Sequence, residues 1–141
     1  MTPQNLANLA KIGKLKAEPP AQAEFDGLLR TARARLQDAG NPAVSLEGRF
    51  TLAYGAAHAF ALAALRWHGY RSEDRYIVFQ ALPHTLRFEG AKWQALDHFH
   101  RLRNRAEYEG TFEVTEELVA ELIGLTRELR QGVEALGPAS R

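Results

Sequence analysis

The sequence has no cysteine among its 141 residues. Disulfides and thiolate metal sites are therefore excluded, and the fold must rest on packing alone. Excess charge of one sign is missing too: 18 Lys and Arg stand against 17 Asp and Glu, a formal net charge of +1. Without a general attraction to polyanions or membranes, any anion site has to be local. No apolar run is long. The most apolar window, 53–65, contains His58 and falls short of the ~20 residues needed to cross a bilayer. The start, MTPQNLANLAKIGKLKAEPP, has neither a long apolar stretch nor a small-residue cleavage site, which argues against a secretory signal. Gly-rich phosphate loops, Ser-His-Asp arrangements and paired buried carboxylates do not occur. Nor does a basic stretch interleaved with exposed aromatics that would mark a single-strand platform. The expectation is a cytoplasmic protein with no membrane association, bacterial in style from its Ala, Arg and Leu usage.

What is present is helical periodicity, in a chain that is 45% hydrophobic and long enough for one domain with its own core. Nothing alternates with a period of two. A short helix fits between Leu6 and Leu15 and is cut off by Pro19-Pro20. From Ala21 to Ala39 apolar residues at Phe25, Leu28, Leu29, Ala32 and Leu36 share one helical face, and Gly40-Asn41-Pro42 ends the run. Ser45 can cap the next helix, which is apolar nearly all round, rich in alanine and stops at Gly69. It should be the central, most buried element. Ser72-Glu73-Asp74 start a third helix carrying Tyr76, Ile77, Phe79 and Leu82, which Pro83 breaks or bends. A fourth begins near Ala91 and runs to Gly110. Thr115 caps the fifth, with Leu118, Leu122, Leu125, Leu129 and Val133 in one stripe. The fold class predicted is all-α: an antiparallel, up-and-down bundle of four long helices plus a shorter one. Residues 1–20 form a partly ordered N-terminal segment, 21–136 the bundle, and 137–141 a tail expected to fray.

The fourth helix carries the densest chemistry. On a wheel at ~100° per residue, Leu96, Phe99, Leu102 and Ala106 form a buried arc. His100, Arg103 and Glu107 line one border of it. Asp97, Arg101, Asn104 and Tyr108 form a second, more exposed stripe, with His98 and Arg105 pointing further away. Two readings of the first border stand. It is a solvated edge with an ordinary Arg103–Glu107 pair, or Arg103, held by Glu107, is an organised anion binder whose fork of donors suits phosphate. Elsewhere, His58 reads as a buried, hydrogen-bonded histidine, and His68 and His84 as structural. Trp67 and Trp93 read as core, and Asp97–Arg101 as a plain ion pair. No set of residues has convincing metal spacing, and no cofactor is expected.

The helix pattern LAYGAAHAFALAALRWHGY, then a charged turn, RYIVFQAL, and a helix ending LRNRAEYEG together resemble the HEPN domain superfamily over Glu24 to Leu136. The resemblance implies a compact all-α bundle, commonly a homodimer. Many members carry an Arg-Asn-x-x-x-His motif and act as metal-independent RNA-cutting toxins or defence effectors. Arg103 and Asn104 match the motif's first two positions, and the histidine position falls on Tyr108. In nuclease members the arginine binds the scissile phosphate and the histidine moves protons, with the two motifs meeting across the dimer. A phenol, with pKa near 10 against about 6.5 for imidazole, suits proton transfer near neutral pH poorly. The resemblance thus implies a dimeric binding or regulatory module of toxin–antitoxin or defence type. In it Arg103, Asn104, Glu107 and Arg101 would be binding residues, RNA a possible ligand, and an antitoxin or nucleotidyltransferase-like protein a possible partner. The alternative is an active endoribonuclease using Arg103 and Asn104 with Tyr108 or His100.

Overall fold

A computed structural model describes residues 3–88, 90–110 and 113–139. Among these residues the fold is all-α, apart from one two-stranded ladder of two residues per strand. The helices are α1 (Pro3–Lys11), α2 (Gln22–Ala39), α3 (Leu46–Trp67), α4 (Arg75–Gln80), α5 (Leu82–Thr85), α6 (Ala91–Tyr108) and α7 (Glu116–Glu134). Among the described residues, no helix is long and apolar enough to cross a membrane.

The helix starts follow from capping chemistry. Ser45 accepts from the Gly48 N–H at the head of α3, Asp74 from the Tyr76 and Ile77 N–H groups of α4, and Thr115 from the Leu118 N–H of α7. Each such cap contributes about 1 kcal/mol. Helix α3 ends at Gly69, whose φ of 88° is cheap only for glycine.

The long helices alternate in direction. Along α2 and α7, Gln22 meets Ala139 and Arg33 meets Glu134, so these two run oppositely. Tyr54 meets His100 and Phe50 lies near Ala106, so α3 and α6 are also opposed. Helix α3 packs against α2, α7, α4, α5 and α6. It can do so because Ala53, Ala56, Ala57, Ala63 and Ala64 are essentially unexposed and let neighbouring backbones approach from several sides.

Of the two outcomes expected at Pro83, the helix is broken rather than bent: Pro83 sits in the first turn of α5, where its missing N–H costs nothing, so the chain starts a new turn. Three differences from the sequence reading have physical causes. Lys16-Ala17 pairs antiparallel with Tyr70-Arg71, a ladder too short to show any alternation. Ala106 is exposed rather than buried, because the last residues of α6, from Arg105 on, reach past the core. Trp67 and Trp93 are half-buried against the core rather than inside it.

The segment after Gly137 is hydrogen-bonded as far as Ala139: Trp67 Nε1 donates to the Pro138 carbonyl at 3.0 Å, and the Ala139 N–H to Gln22 Oε1 at 2.7 Å. At the same end of the molecule Arg66, 2% exposed, staples the 16–20 segment to α3. Its guanidinium donates to Glu24 (2.7 Å) and to the carbonyls of Glu18 (2.9 Å), Pro19 (2.7 Å) and Tyr70 (3.3 Å). Arg71 completes the group by pairing with Glu18 and Glu24. Hydrogen bonds from Arg71 are the main reason both carboxyls titrate below their usual range.

Candidate functional site

The exposed polar chemistry converges where α6 crosses α3, with contributions from α2 and α4. Arg103 projects from α6, half-buried, with Nη2 3.2 Å from Glu107 Oε1. Arg75, the first residue of α4, and Arg35, on the outer face of α2, meet it at a cleft of about 270 Å³ floored by Tyr54 of α3. The Arg75 and Arg103 guanidinium carbons lie 5.6 and 5.5 Å from the centre of the Tyr54 ring, within cation–π range. Arg35 lies across Gly55: its Nη1 is 3.5 Å from the Gly55 carbonyl, and a Cβ at position 55 would touch its Cδ and Nη1 at 3.4 Å. Among the described residues neither Arg35 nor Arg75 has a carboxylate partner, so the cleft holds three cations and one paired anion.

A hydrogen-bond chain leads out of this cleft and fixes its protons. Arg103 Nη1 donates to Asn104 Oδ1 at 3.3 Å, which orients the amide so that Nδ2 faces His100 Nε2 at 3.4 Å. That nitrogen must then accept. Burial lowers the His100 pKa, so its neutral ring carries the proton on Nδ1 and donates it to Tyr54 Oη, 2.8 Å away. The Tyr54 hydroxyl proton is left without an acceptor among the described residues, although the side chain is only 3% exposed. Burial also raises the Tyr54 pKa, keeping that proton in place.

The expected Arg103–Glu107 and Asp97–Arg101 pairs are present, at 3.2 and 2.6 Å. Asn104, assigned to the other stripe, instead bridges Arg103 and His100, because at i,i+4 its amide reaches His100 across the helix surface. Arg101 is 72% exposed and stands outside the cleft. Tyr108 is 78% exposed and is not among the residues lining the cleft. His68 bonds the Thr85 carbonyl at 3.1 Å, and His84 the Asn5 amide at 3.3 Å. No group of three or more potential metal ligands occurs among the described residues.

His58 departs from expectation: it is half-buried, its ring meets the edge of Phe79, and no hydrogen bond engages it among the described residues. Burial, reinforced by Arg75, Arg35 and Arg103, pushes its pKa down to about 4. The folded protein therefore resists protonating it while the unfolded chain takes up a proton near pH 6.5. Stability is full above pH 6.5 and falls as the pH drops toward 4, at ~1.4 kcal/mol per pH unit, approaching about 3 kcal/mol. Urea unfolding at pH 7 and pH 4.5 should show this slope for the native chain, and less of it for His58→Gln. Equal slopes would dismiss His58 as the cause.

The residues missed by sequence reading are Arg35, Arg75 and Tyr54. They lie on three helices and share no spacing, so only the packing brings them together. Compared with known protein families, curated proteins and solved structures, the chain matches none.

Proposed function

We propose that the chain is a HEPN-like homodimeric module of toxin–antitoxin or defence type that binds an anionic ligand, RNA included, without cutting it. Arg103 is its central cation. The observation that carries this reading is the cluster of Arg35, Arg75 and Arg103 around Tyr54 in one cleft, while Tyr108, at the motif's histidine position, stands outside it. An arginine fork in a partly desolvated cleft holds phosphate oxygens by charge-assisted bonds. The Tyr108 side chain projects into solvent, away from the three arginines. Asn104 serves by orienting Arg103 and His100. An antitoxin or nucleotidyltransferase-like protein is the partner that fits such a module.

One observation favours the nuclease alternative. His100 is neutral, bonded to Asn104 and joined through Tyr54 to the arginine cleft, so it is better placed than Tyr108 to accept a proton. Sedimentation of the full chain, with incubation of labelled RNA in chelator, separates the two. The expected result is a dimer that leaves RNA intact and binds it, with Arg103→Ala weakening binding roughly tenfold. Metal-free cleavage abolished by Arg103→Ala and by His100→Ala would establish the nuclease instead.

A further inference from the structure

The arginine cleft does not end at Arg103. Phe50, Thr51, Ala106 and Glu107 line both it and a neighbouring pocket of about 290 Å³ that adds Glu47 and Val114. The two together form one groove whose ends differ in chemistry. One end presents Arg35, Arg75 and Arg103 around Tyr54. The other adds Glu47 and the apolar Val114, with Phe50 and Glu107 shared between the two ends.

We infer that this groove takes a phosphomonoester carried on an uncharged, hydroxylated carbon skeleton, with the phosphate among Arg35, Arg75, Arg103 and Tyr54 and the skeleton toward Glu47 and Val114. The inference rests on the anion-binding reading above and narrows its ligand. The charges match: of the three cations, one is already countered by Glu107, and a phosphomonoester carries close to two negative charges at pH 7. A phosphodiester carries one, and leaves a cation uncompensated. The monoester's three terminal oxygens can also accept from several forks at once, together with the Tyr54 hydroxyl. At the far end the Glu47 carboxylate is an acceptor only, so it suits sugar hydroxyl donors and repels a second phosphate. A nucleic-acid strand threading the groove would bring that second phosphate against Glu47. A strand can therefore enter only by a phosphorylated end.

Two sources share this chemistry: a free sugar or nucleoside monophosphate, and the phosphorylated terminus of an oligonucleotide. Calorimetric titration of the full chain should use four probes: inorganic phosphate, ribose 5-phosphate, and a short RNA with either a 5′-phosphate or a 5′-hydroxyl. Ribose 5-phosphate is expected to bind at least tenfold tighter than inorganic phosphate. The 5′-phosphorylated RNA should bind at least tenfold tighter than the 5′-hydroxyl form if a strand end is the source. It should match the 5′-hydroxyl form, with ribose 5-phosphate still bound, if the source is a free monophosphate. Arg75→Ala and Tyr54→Phe should each weaken the phosphomonoester at least fivefold, and Arg75→Lys should recover part of the loss. Arg75 is only partly buried, and circular dichroism of each variant checks that the fold is kept. Both RNAs binding alike with no affinity for ribose 5-phosphate would overturn the inference and leave the anion-binding reading standing. Binding of none of the probes would overturn both.

Discussion

Arg66→Met should lower the stability of the protein by about 3–5 kcal/mol, seen as a large drop in the urea midpoint with little change in slope. A methionine fills much of the same volume but donates nothing. The carbonyls of Glu18, Pro19 and Tyr70 would each lose a donor at 3.3 Å or less, and Glu24 would lose the guanidinium held at 2.7 Å. Arg66 is 2% exposed, so water cannot take its place without opening the end of α3. Typical domains have only 5–15 kcal/mol in hand, so a loss of this size is a substantial fraction of the total. Arg71, which bonds the same two carboxylates, is 29% exposed, and its loss is softened by solvent. Arg71→Met should therefore cost clearly less. Equal effects, or an Arg66 effect below about 1 kcal/mol, would show that this group does not hold the 16–20 segment in place.

The second large effect is expected for Phe60→Ala, at about 3–5 kcal/mol. Phe60 is fully buried in the middle of α3. Its neighbours along the helix, Ala56, Ala57, Ala63 and Ala64, are methyl groups that cannot swing into the space a ring leaves behind. A cavity that cannot collapse keeps its full penalty, so the value should fall in the upper part of the range. Leu62, on the same helix but only half-buried, is the control, and its replacement by alanine should cost distinctly less. A Phe60→Ala loss no larger than that of Leu62→Ala would mean that the centre of α3 repacks freely.

The contrast between what could be read and what could not follows from the range of the interactions. Ser45 and Thr115 were legible as caps because a side chain bonding an N–H three residues on is a local event. The stripe of α7 and the alanine run of α3 were legible because burial on a helix repeats with its pitch. Arg103 with Glu107 was legible for the same reason. The cleft was not. Arg35, Tyr54 and Arg75 come from different helices, and the space between them depends on Gly55 leaving room for Arg35 to lie across α3. The placement of Ala106 failed because periodicity says which face would be buried, and not whether another helix is there to cover it. Arg66 shows the opposite failure: an arginine in the last turn of an apolar helix gave no hint that backbone carbonyls from a distant segment would surround it.

The contact between Trp67 and the carbonyl of Pro138 has an optical consequence. The chain contains two tryptophans, and they sit at different seams. The indole of Trp67 is tied to the C-terminal segment, and that of Trp93 packs edge-on to Tyr76 where α4 meets α6. With Trp93 replaced by phenylalanine, the remaining indole emission becomes a native gauge of whether residues 137–139 are seated on the bundle, with no dye attached.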